Sequence, residues 1–194
     1  DEAPEWRYNV IPDALMLSGN LMALALSSNA DELQARLVPP LEGIELDAGA
    51  MRLTDTPCKD WDDDWLAPQA LPGAAGRWRL ALQGGFPRGC DAKVKLQLLD
   101  RNVIAERQLR AVWSSLGGSW RAPLGSVRED RTPPGARLIA THPSRPWGEV
   151  LRAMNKDSDN ALTRLLFLQL GTAAMKDDAS TPTLALAQRE VERW

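Results

Sequence analysis

Along the first two-thirds of the chain, apolar and polar positions alternate with a period of two. In GRWRLALQGGFP, Trp78, Leu80 and Leu82 fall on one face, and Arg77, Arg79 and Ala81 on the other. AKVKLQLLD repeats the pattern with Val94, Leu96 and Leu98. Successive side chains of a strand point to opposite faces, so both segments predict half-buried strands. Gly84-Gly85 and the residues around Pro87-Arg88-Gly89 join them, which predicts an antiparallel pair with Trp78, Leu80, Val94 and Leu96 turned to one core. DALMLSGNLMALALS holds two apolar runs around Ser18-Gly19-Asn20, a hairpin signal. ELQARLVPP and GIELDAGAMRLTD supply further short strand candidates.

The period then changes. RNVIAERQLRAVWSSLGG spaces Val103, Ile104, Leu109, Val112, Trp113 and Leu116 at helical intervals, with Gly117-Gly118 as a stop. GSVREDRTPPGARLIATH reads as strand, Pro-Pro turn, strand. Pro146 suits a first helical turn, with Ser144 just ahead as a possible cap. Val150, Leu151 and Met154 then mark the apolar face of a short helix ending near Lys156. A second helix is predicted from about Asn160 to Leu170, closed by Gly171 and apolar all round, hence buried on all sides. A third begins near Thr183. Strands followed by helices give an α+β fold class.

Composition narrows the functional classes. The chain has 194 residues, 44% of them hydrophobic, enough to bury a sizeable core. A net charge of −3 argues against nucleic-acid binding, which needs a basic surface. No apolar run approaches the length of a membrane span. The opening DEAPEWRYNV has no initiator Met, no basic n-region and no apolar h-region, so either an export signal has been removed or the chain is an internal piece of something longer; LAQREVERW, which reads as a helix stopped midway, favours the second. Two cysteines, Cys58 and Cys90, with the single His142, argue against a metal centre. Whether the cysteines pair or remain two buried thiols is left open by the residues themselves.

Four features invite chemistry. Ser158-Asp159-Asn160 lies at the joint of two predicted helices, where Asp157 or Ser158 is expected to cap free backbone N–H groups of the second. The acidic DWDDDW (Asp60, Asp62, Asp63, Asp64) resembles the start of a calcium loop, but the sixth and twelfth positions hold Trp65 and Leu71 instead of glycine and glutamate, so a solvated loop is expected. Eight tryptophans stand against one tyrosine and two phenylalanines; Trp78, Trp113 and Trp147 sit on apolar faces and are expected in the core. His142 has no nucleophile elbow to serve and is read as incidental.

HPSRPWGEVLRAMNKDSDNALTRLLFLQLG, with WRYNVIPDALMLSGNLMALAL upstream, resembles the penicillin-binding proteins of the D-Ala-D-Ala carboxypeptidase/endopeptidase type, the S13 serine peptidases. The resemblance runs from about Trp6 to Gly171 and is weakest over residues 28–75. That family uses Ser-x-x-Lys, Ser-x-Asn and Lys-Thr-Gly in order. No serine of this chain has lysine three residues on, and no lysine precedes Thr-Gly, so only the middle motif is present.

The resemblance implies a piece of a periplasmic enzyme acting on peptidoglycan stem peptides through an acyl-serine, trapped by β-lactams, with no cofactor. It implies that Ser158 relays a proton between the Ser-x-x-Lys lysine and the leaving group, and that Asn160 donates its amide to the substrate backbone. Asp159 would point away and cap or brace the loop, and Lys156 add positive charge. Tyr8 would contact the substrate side chain, although Ala3, between Glu2 and Pro4, stands where an acid is usual. By the same resemblance, 1–11 leads in from an inserted domain, 12–98 is a β-rich inserted domain, 99–145 completes a second, and 146–194 is the helical part of a transpeptidase-like domain. Export to an oxidising compartment favours a Cys58–Cys90 disulfide. The alternative is a non-catalytic wall-binding module that has lost the nucleophile.

Overall fold

The structure, a computed structural model, describes residues 10, 12–13, 15–128, 130–175 and 180–194. Two compact units emerge. One holds Leu17–Arg131, the other Thr132–Trp194 with the described residues before Leu17.

The first unit contains two three-stranded sheets and a helix. β1 (Met22–Ser28) lies between β2 (Leu33–Leu37) and β6 (Asp91–Leu96), antiparallel to both. β5 (Trp78–Pro87) lies between β3 (Ile44–Thr54), to which it is parallel, and β4 (Trp65–Pro72), to which it is antiparallel. Leu24, Leu26 and Leu96 of one sheet share a core with Leu82 and Phe86 of the other. Each such side chain, fully buried, contributes roughly 1.5–3 kcal/mol. Met22, Leu80 and Ile104 form the adjoining cluster, where helix α1 (Arg101–Ser115) meets the strands. Residues 99–131 therefore belong with the strands, and no domain boundary falls near 98.

The predicted faces of β5 and β6 agree with the structure, but the predicted pairing does not. Trp78, Leu80, Val94 and Leu96 all pack on these shared clusters. Yet both edges of β5 are occupied by β3 and β4, which leaves no ladder for β6. The chain crosses at Arg88-Gly89-Cys90, with Gly89 at φ 62°, and delivers β6 to β1. Ser28 anchors the crossing: its N–H donates to Cys90 O at 2.9 Å and its hydroxyl to Pro87 O. Cys90 is bonded to Cys58 across a separation of 32 residues, with Cα atoms 5.3 Å apart, inside the usual range for a disulfide.

The expected hairpin at Ser18-Gly19-Asn20 is instead a 3-10 turn, Leu17–Asn20, leading into β1. Ser18, Gly19 and Asn20 take φ values of 53°, 70° and 57°, a left-handed run that turns the chain without pairing it. No strand precedes it among the described residues.

Helix α1 starts where Asp100 caps it, accepting from Asn102 N–H at 2.8 Å. Its burial differs from the apolar pattern. Ile104 is buried, but beside it so are Glu106, Arg107 and Arg110, while Leu109, Val112, Trp113 and Leu116 are exposed. The reason is the strap of residues 122–126 lying on that side. Arg110 donates to Ala122 O (2.9 Å), Pro123 O, and Ser126 Oγ (3.1 Å), and bonds Glu106. Glu106 in turn accepts from Gly125 N–H at 3.0 Å. Arg107 donates to Gly76 O at 2.7 Å, and burial lowers its pKa. Leu124 of the strap fills the space over Gly43, where a Cβ would stand 2.7 Å from its Cδ1. Trp113, expected in the core, lies over Gly118 and donates Nε1–H to Ser119 O at 3.1 Å, closing the helix end. Trp147 is likewise exposed, whereas Trp78 packs as expected.

The two strands expected over GSVREDRTPPGARLIATH are absent among the described residues. The Pro-Pro turn forms, with Ala136 N–H donating to Pro133 O at 3.2 Å. Leu138 and Ile139 nevertheless stay 80% and 91% exposed, so nothing offers those strands a packed face.

The second unit contains α2 (Trp147–Asp157), α3 (Asn160–Ala174) and α4 (Thr183–Arg193). Gly171 does not close α3; it is buried inside the helix, where a Cβ would fall 2.1 Å from Thr183 O and 2.9 Å from Ala187 N of α4. Leu186 and Ala187 are buried. α3 is only partly buried, with Leu170 exposed, instead of enclosed on all sides.

Candidate active site

The joint between α2 and α3 is a single sharp turn. α2 runs to Asp157, with Met154 as its buried anchor. Ser158 then adopts φ 50°, ψ 47°, the left-handed conformation that usually falls to glycine at a helix end. Both Ser158 N–H and Asp159 N–H donate to Met154 O, the latter at 3.0 Å. Asp159 returns to extended backbone at φ −75°, ψ 93°, and caps α3. Its carboxylate accepts from Leu162 N–H at 2.8 Å, and its carbonyl accepts from Thr163 N–H and Oγ1–H at 3.0 and 2.7 Å.

The capping residue is therefore Asp159, and not Asp157 or Ser158. A cap needs extended dihedrals to aim its side chain back at the first-turn N–H groups, and left-handed Ser158 lacks them. Ser158 Oγ and the Asn160 amide have no partner among the described residues, and both residues are exposed. Asn160 opens α3 one residue after its cap. Lys156 lies exposed in the last turn of α2. The turn thus separates two tasks: Asp159 satisfies the backbone, while Ser158 and Asn160, two positions apart, are left with a hydroxyl and an amide free to bond something else.

A non-glycine residue in the left-handed region carries backbone strain, and such strain recurs at functional positions. The remaining candidates lie elsewhere. Tyr8, with Ala3 and Glu2, lies outside the described residues. His142 is exposed in an irregular segment. Of the acidic loop, Asp60 falls in a 3-10 turn and Asp64 pairs with Arg52 at 3.7 Å. Among the described residues no cluster of His, Cys, Asp and Glu could hold a metal ion. The charged Glu106–Arg110 network had one sequence signal, a Glu and an Arg four apart on a helix, which ordinarily marks a solvated pair.

The joint therefore presents a strained serine that does not cap, two residues before an exposed asparagine. Sequence comparison gives the family. A family model described as D-Ala-D-Ala carboxypeptidase 3 (S13) matches residues 4–191, so the chain belongs to that family. In fold it is similar to penicillin binding protein 4 (dacB) from Haemophilus influenzae. One structure, complexed with a novel β-lactam, matches at 17% identity and TM-score 0.52, covering 87% of this chain and 37% of that one. A second structure of the same protein matches at 16% identity and TM-score 0.52, covering 96% and 41%. The chain thus spans about two-fifths of the length of these structures. No curated protein sequence matches it significantly.

Proposed function

We propose that this chain is the part of a serine D-Ala-D-Ala carboxypeptidase/endopeptidase that contributes Ser158 and Asn160 to the active site. The observation that carries this is the division of labour at the helix joint: Asp159 caps α3, so the Ser158 hydroxyl is not needed for the fold and yet sits in a strained conformation. Membership of the S13 family supports the reaction class.

Acyl transfer from a peptide to a serine needs a base to accept the hydroxyl proton and an acid to return it to the leaving amine. Ser158 Oγ can both accept and donate, so it suits a relay between a lysine and the leaving nitrogen. Asn160 offers an N–H donor and a carbonyl acceptor on one side chain, so it can hold a substrate backbone group and a lysine together. Lys156, two residues before Ser158, adds positive charge near a carboxylate-bearing substrate. The nucleophile and its lysine would lie outside these 194 residues, which contain no Ser-x-x-Lys and no Lys-Thr-Gly. Substrates on this reading are peptidoglycan stem peptides and cross-links, β-lactams are trapping inhibitors, the compartment is the periplasm, and the Cys58–Cys90 bond fits an oxidising one. The test is penicillin acylation. The 194-residue chain should not acylate, a chain extended to include both missing motifs should, and failure of the extended chain would favour a wall-binding module.

A further inference from the structure

The outer face of the β2-β1-β6 sheet has no share in the Ser158 joint, and its charge is unbalanced. β1 turns Met22, Leu24 and Leu26 inward, so Ala23, Ala25 and Ser27 face outward. The register sets Arg36 of β2 and Lys93 of β6 on either side of Ala25, and Lys95 beside Ala23. Gln34 and Asp91 flank Ser27. Short side chains between long ones leave a groove of about 350 Å³, lined by Ala25, Ser27, Arg36, Asp91 and Lys93 among others. Ala25 faces this groove and is itself buried.

A comparison within the unit gives the second observation. On and beside the other sheet, arginines are matched to acids: Arg77 to Glu45 (3.3 Å), Arg79 to Asp47 (3.6 Å), Arg52 to Asp64 (3.7 Å) and Arg88 to Asp55 (3.8 Å). Arg36, Lys93 and Lys95 have no such partner among the described residues. In a chain of net charge −3, two unmatched cations, Arg36 and Lys93, line one groove, and Lys95 follows two residues further along β6. Lysines on an edge strand such as β6 also discourage strand pairing. Arg36 stands on β2, the other edge strand of this sheet, so the same role extends to it; that role does not require the cations to flank one groove, as Arg36 and Lys93 do on either side of Ala25.

We propose that this groove binds an extended peptide bearing several carboxylates. Lys93 and Lys95 are two residues apart on one face, about 6.6 Å, which is also the spacing of alternate side chains in an extended peptide. Arg36 faces Lys93 across β1, roughly two strand spacings or ~9.6 Å away, so a carboxylate between them meets both cations. Asp91 repels anions at one end of the groove, which limits the length of ligand it holds. A membrane surface would call for apolar side chains around the cations, and the exposed one beside the groove is Val38. That the natural ligand is an acidic wall peptide rests on the reading in Proposed function; the groove's preference for carboxylates does not.

The test uses the 194-residue chain, a hexaglutamate peptide and a neutral hexaglutamine control, at about 30 mM salt where exposed charges are little screened. Binding is followed by amide NMR. The expected result is saturable shifts centred on Ala25, Ser27 and Ala92 with hexaglutamate only. Arg36→Gln with Lys93→Gln should weaken binding by about fivefold or more, and Arg77→Gln with Arg79→Gln should leave it unchanged. Equal binding by the Arg36/Lys93 variant, or no binding at low salt, would overturn the proposal. So would preferential binding to vesicles containing anionic phosphatidylglycerol. None of these arms involves acylation, so a failure here leaves the role of Ser158 intact, and a failure of acylation leaves the groove intact.

Discussion

Replacing Ser158 by glycine separates the demands of the fold from those of chemistry. Ser158 sits at φ 50°, ψ 47°. For an L-residue that region costs roughly 1–2 kcal/mol, and glycine enters it without a Cβ clash. The Ser158 hydroxyl caps nothing; Asp159 provides the cap, with Leu162 N–H at 2.8 Å. The lost side chain removes no buried area, because Ser158 is exposed. Part of the gain is offset by glycine's greater freedom in the unfolded chain, about 0.5–1 kcal/mol. Ser158→Gly should therefore be neutral to about 1 kcal/mol more stable. Asp159→Ala should lose about 1 kcal/mol, within a 0.5–2 range. Urea unfolding followed by far-UV circular dichroism measures both. A Ser158→Gly variant destabilised by more than ~1 kcal/mol would show that the hydroxyl holds the joint together, and the argument that it is held for chemistry would fall.

Three further outcomes follow from the packing. Gly171→Ala places a methyl carbon 2.1 Å from Thr183 O, and because backbone yields less than side-chain tips, it should cost about 1–3 kcal/mol or more by overpacking, read as a lowered urea midpoint for the helical unit. Reducing Cys58–Cys90, a separation of 32 residues, should destabilise the strand unit by roughly 3–4 kcal/mol in the chain-entropy view, measured by guanidinium unfolding with and without reductant; a change below ~1 kcal/mol would contradict it. Glu106→Ala leaves buried Arg110 without its 2.8 Å carboxylate partner and Gly125 N–H without an acceptor, so a loss of about 3–5 kcal/mol is expected, together with faster protease cleavage in residues 121–131.

What the sequence disclosed was mostly the direction in which side chains face. Alternation in GRWRLALQ and AKVKLQLL placed Leu80, Leu82, Val94 and Leu96 on the core side, because a strand's period alone decides facing. The choice of strand partner depends on which edges remain open, and alternation carries no record of that; β5 was already paired on both sides. α1 misled for a related reason. Its apolar residues mark one side, but the strap at 122–126 needs donors for its carbonyls, so Glu106 and Arg110 take the buried side and Leu109, Val112 and Trp113 face solvent. At the helix joint the residues showed that one helix ends and the next begins around Ser158-Asp159-Asn160. The residues alone put the cap on Asp157 or Ser158, because capping follows the dihedrals of a turn and these become fixed only when both helices are in place; the family resemblance had Asp159 cap or brace the loop, and Asp159 does cap.

The most direct measurement of the central claim is the rate at which a fluorescent penicillin acylates a chain extended to carry Ser-x-x-Lys and Lys-Thr-Gly, compared for the parent, Ser158→Ala and Asp159→Ala, with melting temperatures taken on the same samples. A proton relay contributes about 10²–10⁴ in rate. The account predicts a loss of that size for Ser158→Ala at an unchanged melting temperature, and for Asp159→Ala a lower melting temperature with acylation much closer to the parent's. A Ser158→Ala chain that melts lower and still acylates at the parent's rate would contradict it, and would return Ser158 to a purely structural place between two helices.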